Sequence, residues 1–178
     1  MINHSWYGGW EDKRIKWCVW LQSVTMLGYY PLENLAWAGY VAPKLFPVDA
    51  DKLCQISCIF WVLWILIDFY ATYLRFRELQ KMERELSAKA SSLGEGAEWA
   101  EAARKMLAAK RLGLWLYTLR LVLWLPNAVH WSLPPGHKAC LPNWMVQAFG
   151  LGEGLVGTYT LATGRGISRP ALPPPPTR

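Results

Sequence analysis

Residues 53–74 read LCQISCIFWVLWILIDFYATYL, and this stretch decides the fold. It carries a single charge, Asp68, near its distal end. A helix needs about 20 consecutive apolar residues to cross a hydrocarbon core about 30 Å thick, and this run is long enough. Asp51 and Lys52 precede it, and Arg75 and Arg77 close it. Trp61, Trp64, Phe69, Tyr70 and Tyr73 supply rings, the last two placed where an interfacial belt would form. The stretch predicts a transmembrane helix.

The rest of the composition leans the same way. The chain has 178 residues, 53% hydrophobic and 18% charged, against about 45–50% and about 25% in ordinary soluble domains. Its 12 tryptophans suit a membrane interface better than a small core. A formal charge of +6 favours anionic partners. Most of the charges flank apolar runs and no nucleic-acid-binding signature is present, so lipid headgroups are expected and nucleic acid is not. Cys54 and Cys58 lie one helical turn apart in the apolar run, and Cys18 and Cys140 stand apart from them. No zinc spacing or disulfide framework follows, and the four read as small apolar residues.

Beyond Leu74 the composition changes. Leu79, Met82, Leu86, Ala90 and Leu93 recur at helical spacing among Arg, Lys and Glu, and pairs such as Glu101–Lys105 support a helix. Gly94 and Gly96 interrupt the pattern and a second helical stretch starts near Ala97, so residues 75–111 form a basic amphipathic helical hairpin. Its Arg75, Arg77, Arg104, Lys105, Lys110 and Arg111 are candidates for contact with lipid or a partner. The excess of cations predicts a cytosolic loop. Lys13, Arg14, Lys16, Lys44 and Lys52 make the other flank basic as well, which leaves the topology open.

Residues 112–125, LGLWLYTLRLVLWL, are short for a span, contain Arg120 and meet Pro126. Arg120 either snorkels or pairs with Asp68. Residues 139–163 form a third apolar run, interrupted by Pro142 and by Gly150, Gly152, Glu153, Gly154 and Gly157. The tail from Gly164 ends in PALPPPPTR and reads as disordered, with a PxxP ligand as the alternative. The expected fold is therefore an all-α membrane protein with one transmembrane helix, one or two weaker membrane-embedded helices and a polar helical hairpin. Its order is a short N-terminal segment (1–16), apolar or interfacial helices (17–42), the span (53–74), the hairpin (75–111), membrane-associated helices (112–163) and the tail (164–178).

Lys13–Lys16 followed by WCVWLQSVTMLG has the outline of a signal peptide with Ala36-Trp37-Ala38 as the cleavage site. The intervening Pro31, Glu33 and Asn34 and the bulky tryptophans argue against it. The C-terminus is no peroxisomal matrix signal of the SKL kind. His4, His130 and His137 are scattered, no carboxylates pair, and Gly150-Leu151-Gly152-Glu153-Gly154 follows no strand and has no lysine to complete a phosphate cradle. No enzyme, metal or cofactor is expected.

Two blocks stand in order around the span: Tyr29-Tyr30-Pro31-Leu32-Glu33-Asn34-Leu35-Ala36-Trp37-Ala38, and Asn127-Ala128-Val129-His130-Trp131. With Leu133-Pro134 and Pro142-Asn143-Trp144-Met145-Val146 following, the order resembles the gamma type of the peroxisomal membrane protein 11 (peroxin-11) family over about residues 17–150. By their chemistry, Pro31 would break or kink a helix, and Tyr30 and Trp37 suit an interface. Glu33 would cap the helix restarting after Pro31, and Asn127 would satisfy backbone groups freed near Pro126. His130 reads as a structural polar tip.

The resemblance implies a non-enzymatic protein of the peroxisomal membrane acting in peroxisome elongation, division and proliferation. The implied partners are peroxisomal lipids, other family members in homo- or hetero-oligomers, a fission adaptor and a dynamin-related GTPase. The family's N-terminal third, with its basic amphipathic helix, has no counterpart before Trp17, and the last family span is replaced after Gly150. The chain thus resembles a shortened form, which puts direct membrane bending in question. A small-metabolite pore, with Asp68, Arg120, His130 and Glu153 lining a polar path, is the alternative, and an inactive or dominant-negative short form is a third.

Overall fold

Four helices follow one another through the chain: α1 (Lys13–Val41), α2 (Ala50–Leu93), α3 (Ala97–Trp131) and α4 (Asn143–Ala162). A computed structural model describes residues 8–93, 97–134 and 140–173, and no strand occurs among them. Each helix packs against the next, α1 on α2, α2 on α3 and α3 on α4. Two of them, α2 and α3, are long and apolar enough to cross a membrane.

The apolar run of residues 53–74 forms one part of α2, and the helix does not stop there. No glycine or proline intervenes before Gly94. The 44 residues rise about 66 Å at 1.5 Å per residue, roughly twice the thickness of a bilayer core. The polar second half of α2 pairs with the first half of α3 as an arm beyond the apolar half. In this arm Leu79, Met82 and Leu86 of α2 and Ala103 and Leu107 of α3 are buried. The hairpin glycines Gly94 and Gly96 lie outside the described residues.

Three breaks expected from the sequence do not occur. Pro31 and Pro126 lie inside continuous helices. Proline removes one backbone donor and crowds the preceding turn, and such defects are tolerated in apolar helices where neighbours and local adjustments satisfy the freed carbonyl. Residues 112–125 are thus the middle of a 35-residue helix and not a short embedded one. The glycines of residues 150–157 do not interrupt α4 either. A Cβ at Gly152 would lie 3.4 Å from Leu123, and one at Gly157 would lie 3.2 Å from the Arg120 guanidinium. Both glycines admit side chains of α3 to the α4 backbone.

Two buried clusters hold the bundle. One lies in the arm and its base and joins Trp10, Ile15, Leu74, Leu79, Leu107 and Leu114. The other, Ile65, Leu121 and Ala128, lies in the apolar half with Trp61, Trp64 and Trp124 around it. The tail departs from the expected disorder over residues 164–173: Ile167 and Leu172 pack on the arm cluster. Arg169 reaches Glu11 and Glu78, and the Trp99 indole donates to the Pro173 carbonyl. These apolar contacts and ion pairs join residues far apart in the chain. Residues 174–178 lie outside the described set.

Candidate functional site

The apolar half of α2 brings two polar groups into the bundle. Asp68 and Arg75, two helical turns apart, are 1% and 3% exposed and pair at 3.1 Å. Arg75 also donates to Thr72 Oγ1 at 3.2 Å, and the Tyr117 hydroxyl of α3 donates to the other Asp68 oxygen. The charges neutralise each other where either alone would be costly to desolvate. Arg75 is therefore closed to lipid, in contrast to the contact role expected of it. Asp68 is taken by Arg75 and Tyr117, so it does not partner Arg120.

Arg120 finds its counter-ion on α4 instead. Its Nε donates to Glu153 at 2.7 Å, and its guanidinium lies 5.2 Å from the Trp124 ring centroid. The pair borders a groove of about 700 Å³ that runs between α3 and α4 past Tyr117, Gly157, Thr160 and Arg165. An i,i+4 reading of the sequence could not find this pair, because the two residues meet only once α3 and α4 fold antiparallel.

The two sequence blocks meet through one ring. Trp61 stacks on Trp131 at 6.0 Å, lies tilted to Tyr29 at 6.4 Å and meets Trp124 edge-on at 6.2 Å. The Tyr29 hydroxyl donates to Glu33 one turn later, so Glu33 does not cap a restarted helix. Ala36 is buried, whereas Tyr30, Pro31 and Trp37 face outward. Asn127 is buried and donates to the Val146 carbonyl of α4 at 3.0 Å, which ties α3 to α4 in place of repairing the backbone near Pro126. His130 Nδ1 accepts from the Leu141 N–H at 3.3 Å and lies 3.5 Å from Cys140 Sγ. The four residues of the polar-path alternative thus occupy three separate places.

The remaining basic candidates divide by accessibility. Arg77 and Arg104 are exposed on the arm, and Lys105 is exposed and pairs with Glu101 at 2.7 Å. Lys110 is half-buried and donates to the Gly166 carbonyl at 2.6 Å, and Arg111 pairs with Glu83. At the start of α1, Asp12 caps the Arg14 N–H at 2.9 Å, and its carboxyl is held below the usual range chiefly by the hydrogen bond from the Arg14 side chain.

Sequence reasoning passed over Trp10, Glu78, Trp99 and Arg169. Trp10 is 1% exposed, and Glu78 accepts the backbone N–H groups of Glu11 and Asp12 as well as pairing with Arg169. The partners are between 66 and 161 residues apart, so no local spacing betrays them. Among the described residues no group of three His, Cys, Asp or Glu is placed to hold a metal.

No solved structure matches the chain. Peroxisomal membrane protein 11C of Mus musculus is 29% identical over 151 residues, which cover 83% of this chain. The chain spans 59% of the length of that relative. The profile of the family described as peroxisomal biogenesis factor 11 (PEX11) matches residues 5–162. That match extends beyond the resemblance over residues 17–150 at both sides, taking in residues 5–16 and the later part of α4. By this match over most of its length, the chain belongs to the peroxisomal biogenesis factor 11 family.

Proposed function

We propose that the chain is an integral, non-enzymatic protein of the peroxisomal membrane that promotes or regulates peroxisome elongation, division and proliferation. The observation that carries the membrane part is an outward-facing apolar belt shared by all four helices. Trp17, Leu27 and Trp37 expose it on α1, Leu63, Leu66 and Tyr70 on α2, Trp115 and Val122 on α3, and Trp144, Leu151 and Leu155 on α4. Patches of this extent on a monomer mark contact with lipid or a partner. The belts run over about residues 17–41, 53–74, 112–131 and 144–161. At 1.5 Å per residue they rise roughly 27–37 Å, close to the bilayer core of about 30 Å. In this reading all four helices insert as one bundle.

The charges favour one orientation. The antiparallel order brings Lys13, Arg14, Lys16, the arm and Arg165 and Arg169 to one end. At the other end, Lys44 and Lys52 stand beside Asp49 and Asp51 among the described residues. The positive-inside tendency then puts the arm and both terminal segments in the cytosol. There Arg77, Arg104 and Lys105 meet anionic headgroups, and the arm is where other family members, a fission adaptor or a dynamin-related GTPase would dock.

The test is to image the tagged chain beside a peroxisomal membrane marker while scoring organelle length, and to extract the membranes with alkaline carbonate. Overlap, resistance to extraction and longer or more numerous peroxisomes are expected. A chain released by carbonate, or one that leaves peroxisomes for another organelle, overturns the reading.

The groove between α3 and α4 favours one second reading, a small-metabolite pore, because ionisable groups at membrane depth often mark a pathway. Planar-bilayer recording decides it. A pore gives conductance whose ion selectivity shifts when Arg120→Gln and Glu153→Gln are introduced together, and a silent bilayer removes the idea.

A further inference from the structure

The C-terminal tail lies on the arm as a peptide lies in a binding site. Three side-chain donors read its backbone: Lys110 Nζ to the Gly166 carbonyl at 2.6 Å, Trp10 Nε1 to that of Ile167 at 2.8 Å, and Trp99 Nε1 to that of Pro173 at 2.9 Å. Proline removes the N–H at positions 170 and 173, whereas a carbonyl remains at every residue of the segment as a handle. Indoles that combine an apolar face with one N–H donor are the groups that dock such strands in aromatic-lined grooves.

The side chains are read as well. The Arg169 guanidinium lies 2.6 Å from Glu11 and 3.2 Å from Glu78. Glu78 is also held from behind by the backbone N–H groups of Glu11 and Asp12, at 2.9 and 3.1 Å, so its position does not depend on the tail. Ile167 and Leu172 settle against the buried cluster of the arm. The occupying sequence is Gly166-Ile167-Ser168-Arg169-Pro170-Ala171-Leu172-Pro173, a PxxP spacing led by arginine.

The attachment is suited to release. The tail leaves α4 through Gly164, at φ +64°, followed by Arg165 and Gly166. One backbone hydrogen bond, from Arg169 N–H to the Gly8 carbonyl at 2.7 Å, ties it to the N-terminal segment. Lifting residues 166–173 off the arm breaks no helix.

We propose that Trp10, Glu11, Glu78, Trp99 and Lys110 form a binding site for an extended peptide that carries arginine directly before a PxxP pair, and that residues 166–173 are its resident occupant, displaced when a partner supplies such a peptide. The tether keeps the resident segment at an effective concentration in the millimolar range, so a free peptide competes poorly until the latch is weakened.

The test uses the full chain in detergent micelles and a fluorescent peptide of sequence GISRPALP. R169E, which turns the resident arginine against Glu11 and Glu78, is expected to bind the peptide, and the unaltered chain to bind it roughly tenfold or more weakly because of the tether. The same peptide with glutamate in place of arginine is expected not to bind, and W99F in the R169E background to weaken binding several-fold. Absence of binding to R169E with its helical circular dichroism retained overturns the site, as does equal binding by the two chains. Should R169E fail to fold, hydrogen exchange of the unaltered chain decides. The Arg169 amide is expected to be protected and to lose protection under saturating N-acetylated peptide, and protection that does not change overturns the proposal.

Discussion

The two halves of the α2–α3 pair share a helix geometry but not a solvent. In the arm, Leu79, Met82, Leu86, Ala103 and Leu107 are buried, and charged residues such as Arg77, Lys81, Arg84, Glu101 and Lys105 cover the outside. In the apolar half only Ile65, Leu121 and Ala128 form the buried cluster, and Leu63, Leu66, Val122 and Val129 face outward. The arm is built inside-in, as water requires. The apolar half places its polar groups, Asp68, Arg75 and Asn127, inside and exposes leucines such as Leu63 and Leu66 outside, as hydrocarbon allows. The boundary falls near Arg75, where one continuous helix exchanges one pattern for the other.

The largest effect expected is at that boundary. Asp68→Leu leaves Arg75 buried and uncompensated, and removing one partner of a buried pair costs about 3–5 kcal/mol. Denaturation of the purified chain in micelles should show this loss, and Asp68→Leu with Arg75→Leu should recover most of it. If the double variant is as unstable as the single one, the pair is not the unit that matters.

A matched pair of core truncations tests the difference in solvent directly. Leu107 and Leu121 are 1% and 0% exposed, one in each half. Leu107→Ala in the arm should cost about 2–5 kcal/mol, the transfer term and the cavity together. Leu121→Ala should cost distinctly less in a lipid bilayer, because lipid tails are as apolar as leucine and only packing is lost. Equal losses for the two variants, measured by unfolding in bicelles, would contradict the division.

Close approach of helices in the apolar half gives a smaller, local effect. A Cβ at Gly28 of α1 would sit 2.8 Å from the Phe60 ring of α2. Gly28→Ala should therefore destabilise by about 1–3 kcal/mol through overpacking, and Phe60→Leu should relieve it. An additive double variant would mean that the ring already yields.

The sequence made the helical class, the span within residues 53–74 and the buried face of the arm legible, because each follows from period and length. It misread the proline and glycine positions. Pro31, Pro126 and Gly150–Gly157 carry a breaking tendency measured against water, and an apolar helix in contact with neighbours escapes it. Its pairings failed for another reason. Arg120 lies 52 residues from Asp68 and 33 from Glu153, and nothing local tells which carboxylate the fold brings near. The same holds for Trp10 and Arg169, whose partners are fixed only when both ends of the chain meet the arm.

The smallest effect belongs to the polar start of α1, where water competes for every bond. Asp12 accepts from the Arg14 N–H at 2.9 Å and from its guanidinium at 2.7 Å, both largely in solvent. Its carboxyl titrates below the usual carboxylate range in the folded chain, mainly through that side-chain hydrogen bond. A folded value below the unfolded one means that the unfolded chain binds the proton more tightly. The stabilisation is then complete above the unfolded value and lost as pH falls through the folded one. Asp12→Ala should remove about 0.5–2 kcal/mol of helix capping at neutral pH, and the gap between variant and parent should close in acid. Amide exchange of the first turn of α1, followed from pH 7 downward, measures both. A gap that persists in acid would assign the loss to something other than the charged cap, and the arm's polar edge would then owe less to electrostatics than its sequence suggests.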